Sequence, residues 1–160
     1  MSKFNLDIEK VIPGVEKEIA KKGYVYPDAE YVTNIPEEYK MFDMEIADMT
    51  MDELLNKLSI FTSLLASASW DEATYLAKVA GLQRELDIVK ADVFINTTGD
   101  KVRDREKQRD SDARVVKLQE ELTIADVYLR KFSALRASYE KFTFLYSRAV
   151  TVQTKEKELQ

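Results

Sequence analysis

After Gly99 the chain contains neither glycine nor proline. Along that stretch Leu118, Leu122, Ala125, Leu129, Phe132, Leu135, Tyr139, Phe142, Leu145, Ala149 and Val152 follow one another at intervals of three or four. Such intervals place side chains on one face of a helix, whereas a half-buried strand alternates. The spacing predicts a helix from about Ser111 to about Val152, on the order of 60 Å long at 1.5 Å per residue. Propensity alone does not hold so long a helix in water, so it needs partners along its length. Phe142, Phe144 and Tyr146 fall on more than one face, as burial against a second subunit would require. Leu129, Phe132, Leu135, Tyr139, Phe142, Leu145 and Tyr146 are therefore the expected oligomerisation surface, and a homo-oligomer is the expected state.

Two shorter helices are expected upstream. Thr50-Met51-Asp52-Glu53 is a helix start with acids in its first turn. Leu54, Leu58, Phe61, Leu65 and Ala68 then form one stripe. Ser69-Trp70-Asp71-Glu72 matches the S-x-x-E capping box and predicts the start of a second helix, lined by Tyr75, Val79, Leu82, Leu86, Val89 and Val93. Helix character fades at "FINTTGD", and the tail "TKEKELQ" is expected to fray.

The first fifty residues differ. Pro13-Gly14 interrupts an early helical pattern, and Gly23, Pro27 and Pro36 punctuate an aromatic, acidic stretch. Tyr24, Tyr26, Tyr31, Tyr39 and Phe42 make it adhesive, either against the chain's own core or a neighbouring subunit, or as a dock for a partner protein. The expected fold is all-α: a three-helix bundle with a long C-terminal amphipathic helix and an irregular N-terminal arm. The arm is 1–50 and the helical oligomerisation domain is 51–160.

Composition narrows the chemistry. With no Cys and no His, thiolate chemistry, disulfides, Cys/His metal sites and a histidine base are excluded. No D-x-D-x-D-G calcium loop occurs. The carboxylate pairs Asp52-Glu53, Asp71-Glu72 and Glu120-Glu121 are sequence neighbours, about 100° apart on a helix, and do not converge. No enzyme, cofactor or metal is expected. No stretch approaches the roughly 20 apolar residues of a membrane span, so the cytoplasm is the expected location. Residues 1–50 carry 6 basic and 11 acidic side chains and residues 51–160 carry 18 of each, so the net −5 lies in the first third. Any contact with a polyanion must be a local patch.

One such patch is "GDKVRDREKQRD", where Lys101, Arg103, Arg105, Lys107 and Arg109 occupy every second position. As a helix, Lys101, Arg105 and Arg109 share a face and Arg103 and Lys107 lie nearly opposite. As an extended segment, all five point one way and form an edge that follows a phosphate backbone. A solvated linker or helix start is the competing reading.

The segment "VKADVFINTTGDKVRD", the amphipathic helix after it and "LYSR" followed by "AVTVQ" resemble the small phage recombination-mediator proteins of the UvsY type, over about residues 70–153. That resemblance implies an α-helical protein that assembles into rings through C-terminal helices. It also implies loading of a RecA-like recombinase onto single-stranded DNA coated with a single-strand-binding protein, in the host cytoplasm if the chain is phage-encoded. The family's DNA-contacting motif has a Lys and an Arg flanking an Ala. Lys90-Ala91 matches its first half, and Asp92 stands at the Arg position.

The expected function is thus a non-enzymatic, oligomeric, single-stranded-DNA-binding recombination mediator. Its phosphate contacts would be Lys90, Lys101, Arg103, Arg105, Lys107 and Arg109, and Phe94 is either core, the favoured reading, or a stacking face for a base. The alternative is a phage-encoded helical adaptor or structural protein that binds a host or viral protein through its acidic arm.

Overall fold

A computed structural model describes residues 6–25, 46–98 and 101–159. Among them are four α-helices and a 3-10 turn, Ile46–Asp48, and no strand: α1 Ile8–Lys21, α2 Met51–Asn96, α3 Val102–Asp110 and α4 Ala113–Glu158. The all-α class and the long C-terminal helix are as the sequence predicts.

Helix α1 lies inside the arm expected to be irregular. Asp7 caps it, its carboxylate accepting from the Glu9 N–H at 3.2 Å. Gly23, at φ 89°, ends it in the left-handed region that a side chain disfavours. Pro13 sits inside the helix and removes one ladder hydrogen bond, which usually breaks a helix. The helix persists because Val15 and Ile19, one turn apart, are both buried.

Helix α2 begins where the sequence places it. The Thr50 N–H donates to Glu53 Oε2 at 2.7 Å and the Glu53 N–H to Thr50 Oγ1 at 3.4 Å, a reciprocal capping box. The break expected at Ser69 does not occur, and the two predicted helices are one of 46 residues. Ser69 Oγ instead donates back to the Leu65 carbonyl at 2.8 Å, the local bond a helical serine makes when it caps nothing. The reason is register: Leu65, Ala68, Glu72, Tyr75 and Val79 keep the alternation of three and four across the supposed junction, and a helix with an unbroken seam has no reason to stop.

Two residues, Ser111 and Asp112, separate α3 from α4. Asp112 caps α4, accepting from the Arg114 N–H at 2.8 Å, and that bond holds the Asp112 carboxyl below its ordinary range. The helix runs on to Glu158 rather than fraying after Val152.

The chain divides into two units. In the first, Met1–Glu16 with Ala73–Arg130, the core is Leu86, Val93, Val115 and Leu118, with Leu82, Val89 and Leu122 against it. Tyr75 and Tyr128 stack at 4.7 Å, and Arg114 ties Asp92 at 3.2 Å. In the second, Lys17–Glu72 with Lys131–Gln160, an aromatic cluster joins buried aliphatic side chains such as Ile19, Leu54 and Leu135. Phe61 lies 5.3–6.0 Å from Tyr139, Phe142 and Tyr146, and Tyr24 meets Phe132 edge-on at 5.4 Å. Such pairs add to area burial. Arg136 pairs with Glu72 and Glu140, and Gln153 Nε2 donates to the Met49 carbonyl at 2.7 Å.

Candidate functional site

The alternating run folds as helix α3. The extended edge with all five cations on one side is therefore not what forms. Lys101 is the N-cap, with no side-chain capping bond, and no residue of α3 is buried. The helix divides its cations: Arg105 and Arg109 on one face are half-buried, Arg103 and Lys107 nearly opposite are exposed, and Lys101 at the N-cap is exposed too. Arg109 Nε bonds Asp110 at 2.8 Å, and the pair holds that carboxyl below its ordinary range, with the Lys90 charge adding to the effect. Arg109 is thus paired with Asp110, and Lys90 is half-buried. Of the six predicted phosphate contacts, Lys101, Arg103 and Lys107 are the exposed ones, and Arg103 and Lys107 are one turn apart on a single face. Phe94 is half-buried. Asp92, at the position where the mediator pattern has an arginine, holds Arg114 at the start of α4.

The expected oligomer seam is mostly core. Phe132, Leu135, Tyr139 and Tyr146 are buried within this chain and present no surface to a second copy. Phe61 of α2 and Tyr24 and Val25 of the segment after α1 lie against that face. Leu129 and Phe142 are half-buried and Leu145 is exposed.

Tyr24, assigned to partner capture, is likewise inside. Its hydroxyl bonds Asp71 Oδ2 at 2.8 Å, where Lys22 Nζ also pairs at 3.2 Å. Burial, and then the Asp71 carboxylate, push the Tyr24 hydroxyl well above its usual range. Val25 is fixed at both backbone groups: its N–H donates to the Tyr139 hydroxyl at 2.8 Å, and that hydroxyl donates to its carbonyl. Tyr26, Tyr31, Tyr39 and Phe42 lie outside the described residues.

The sequence reading missed a hollow of about 510 Å³ bounded by Lys22, Tyr24, Leu64, Ala66, Ser67, Trp70 and Asp71. Trp70, whose place at the predicted start of a second helix reads as a core anchor or a staple, is 75% exposed at its rim. Trp70 lies two residues after the seam position Ala68, about 200° around the helix, so the stripe already places it outside.

The carboxylates considered as acid/base pairs serve other ends. Glu53 caps α2, Asp71 receives Lys22 and Tyr24, Glu72 meets Arg136, and Glu121 lies 3.8 Å from Lys117. Among the described residues no group of three acids is placed to hold a metal ion, and no helix is long and apolar enough to cross a membrane. No protein-family model, curated protein or solved structure matches the chain.

Proposed function

We propose that this chain is a non-enzymatic helical protein that binds single-stranded DNA and acts as a recombination mediator, helping to load a RecA-like recombinase. The observation that carries the reading is α3, a nine-residue helix with no buried side chain that keeps Lys101, Arg103 and Lys107 exposed. A short helix with no fully buried residue and a surplus of cations suits a phosphate backbone. The likeness of residues 70–153 to UvsY-type mediators supports the same assignment and adds a homo-oligomer and a single-strand-binding protein as partners.

Fluorescence anisotropy against a labelled single-stranded oligonucleotide tests it. Replacing Lys101, Arg103 and Lys107 by Ala should weaken binding and flatten its salt dependence by about 2 log–log units, at about 0.7 per contact on a single strand. Wild-type affinity in the triple variant removes α3 from the interface.

A second reading, a protein adaptor, draws on the exposed Trp70 beside its hollow and on the acidic first third. Removing 1–50 does not test it, because Ile19, Tyr24 and Val25 belong to the core. Trp70→Ala does, since a partner seated there should be lost with the fold intact.

A further inference from the structure

The outward face of the C-terminal part of α4 carries a pattern that neither the core nor α3 accounts for. Lys141, Arg148 and Lys155 stand seven residues apart and all three are exposed. Residues seven apart return to within about 20° on a helix, so the three form one row, with about 10 Å between successive members. None of them pairs with a carboxylate among the described residues. Interleaved with the row are Phe144 at 65% exposure, Leu145 at 43% and Val152 at 48%. Phe144, Ser147, Arg148, Thr151, Val152 and Lys155 bound a hollow of about 370 Å³. The row lies opposite the face that buries Phe132, Tyr139 and Tyr146, so this stretch of α4 is amphipathic twice over. The acids of the same stretch, Glu140 and Glu158 on one side and Glu156 on the other, fall about 80° from the row.

We infer that this stripe is a second binding site for single-stranded nucleic acid, on a different unit of the chain from α3. It shares the ligand class of the reading above but not its residues. A single file of cations matches a linear polyanion. A membrane surface is planar, and laying the face on anionic lipid would bring Glu140 and Glu156 against like charge. Phe144, exposed beside Arg148, offers a ring on which an unpaired base stacks while the guanidinium takes the adjoining phosphate. Duplex DNA keeps its bases stacked inside and has nothing to give that ring, so the strand is single.

The test compares full-length proteins by anisotropy with a labelled oligothymidylate across a salt series. The variants are Lys141→Ala/Arg148→Ala/Lys155→Ala, Phe144→Ala and the α3 triple variant; circular dichroism checks that each is folded, as substitution at exposed positions predicts. The α4 triple variant should bind at least tenfold more weakly at low salt and lose about 2 units of log–log slope. Phe144→Ala should lose about tenfold in affinity with its slope unchanged. An α4 triple variant with wild-type affinity and slope overturns the inference, and a loss confined to the α3 variant then leaves α3 as the site. A loss confined to the α4 variants leaves the stripe and removes α3. Wild-type protein that binds no oligonucleotide overturns both. Binding to phosphatidylserine vesicles that oligonucleotide fails to compete, with oligonucleotide affinity unchanged in the α4 variants, assigns the stripe to a membrane and overturns it as well.

Discussion

Tyr139→Phe removes one oxygen and leaves a ring that still fits against Phe61 and Tyr24. In the native chain that oxygen serves both backbone groups of Val25, accepting from its N–H at 2.8 Å and donating to its carbonyl. Tyr139 is 0% and Val25 5% exposed, so water does not readily replace the lost partner. An unsatisfied buried donor or acceptor costs about 1–3 kcal/mol. Two such groups, less what relaxation recovers, come to about 2–4 kcal/mol, a large share of a total stability of about 5–15 kcal/mol. Urea unfolding followed by circular dichroism should show a lower midpoint with the same slope, and hydrogen exchange at the Val25 amide should quicken by more than at amides in the first unit. A midpoint change worth less than about 0.5 kcal/mol would refute the argument that Tyr139 pins the segment after α1 through its hydroxyl.

Other consequences can be measured on the same protein. Trp70→Pro distinguishes a continuous α2 from a helix starting at Ser69: proline suits a first helical position but costs about 3 kcal/mol or more in an interior, and the larger loss on urea titration is expected. Thr143 Oγ1 is buried with no hydrogen-bond partner among the described residues, so Thr143→Val should raise stability by about 1 kcal/mol; destabilisation would show that the hydroxyl is satisfied. Burial raises the pKa of Tyr24, Tyr139 and Tyr146 above the ordinary range, aided at Tyr24 by Asp71. The unfolded chain releases those protons from about pH 10 while the folded chain holds them. The stability these groups contribute is therefore intact below that pH and lost as pH rises toward their folded values. Phenolate absorbance should show a late-ionising class of tyrosines that merges with the rest on unfolding; a single class would count against the burial.

The helical class and the two long seams follow from the sequence alone. Intervals of three and four residues without glycine or proline admit little else, because any other backbone scatters those side chains. The continuity of α2 was present too, in the register that Leu65, Ala68, Glu72, Tyr75 and Val79 keep. A local S-x-x-E motif obscured it, since such a motif reports what a terminus would use and not that a terminus exists. Helix α1 had its signals in Asp7 and Gly23, outweighed by Pro13, whose local cost is offset by the burial of Val15 and Ile19.

Tertiary structure alone decided which side of each element is free. An amphipathic stripe says that a face is buried, not by what, and so Phe132, Leu135, Tyr139 and Tyr146, which read equally well as a seam between copies, are covered by the chain's own segments. Tyr24, open in the sequence between the core, a neighbouring subunit and a dock, is placed in the core by contacts more than forty residues distant in sequence. The alternating cations of 101–109 fit helix and strand almost equally by local energetics. Folding as α3 set Arg105 and Arg109 half inside and left Lys101, Arg103 and Lys107 to the solvent. Sequence period fixes which residues travel together; what lies across from them is a property of the packed chain.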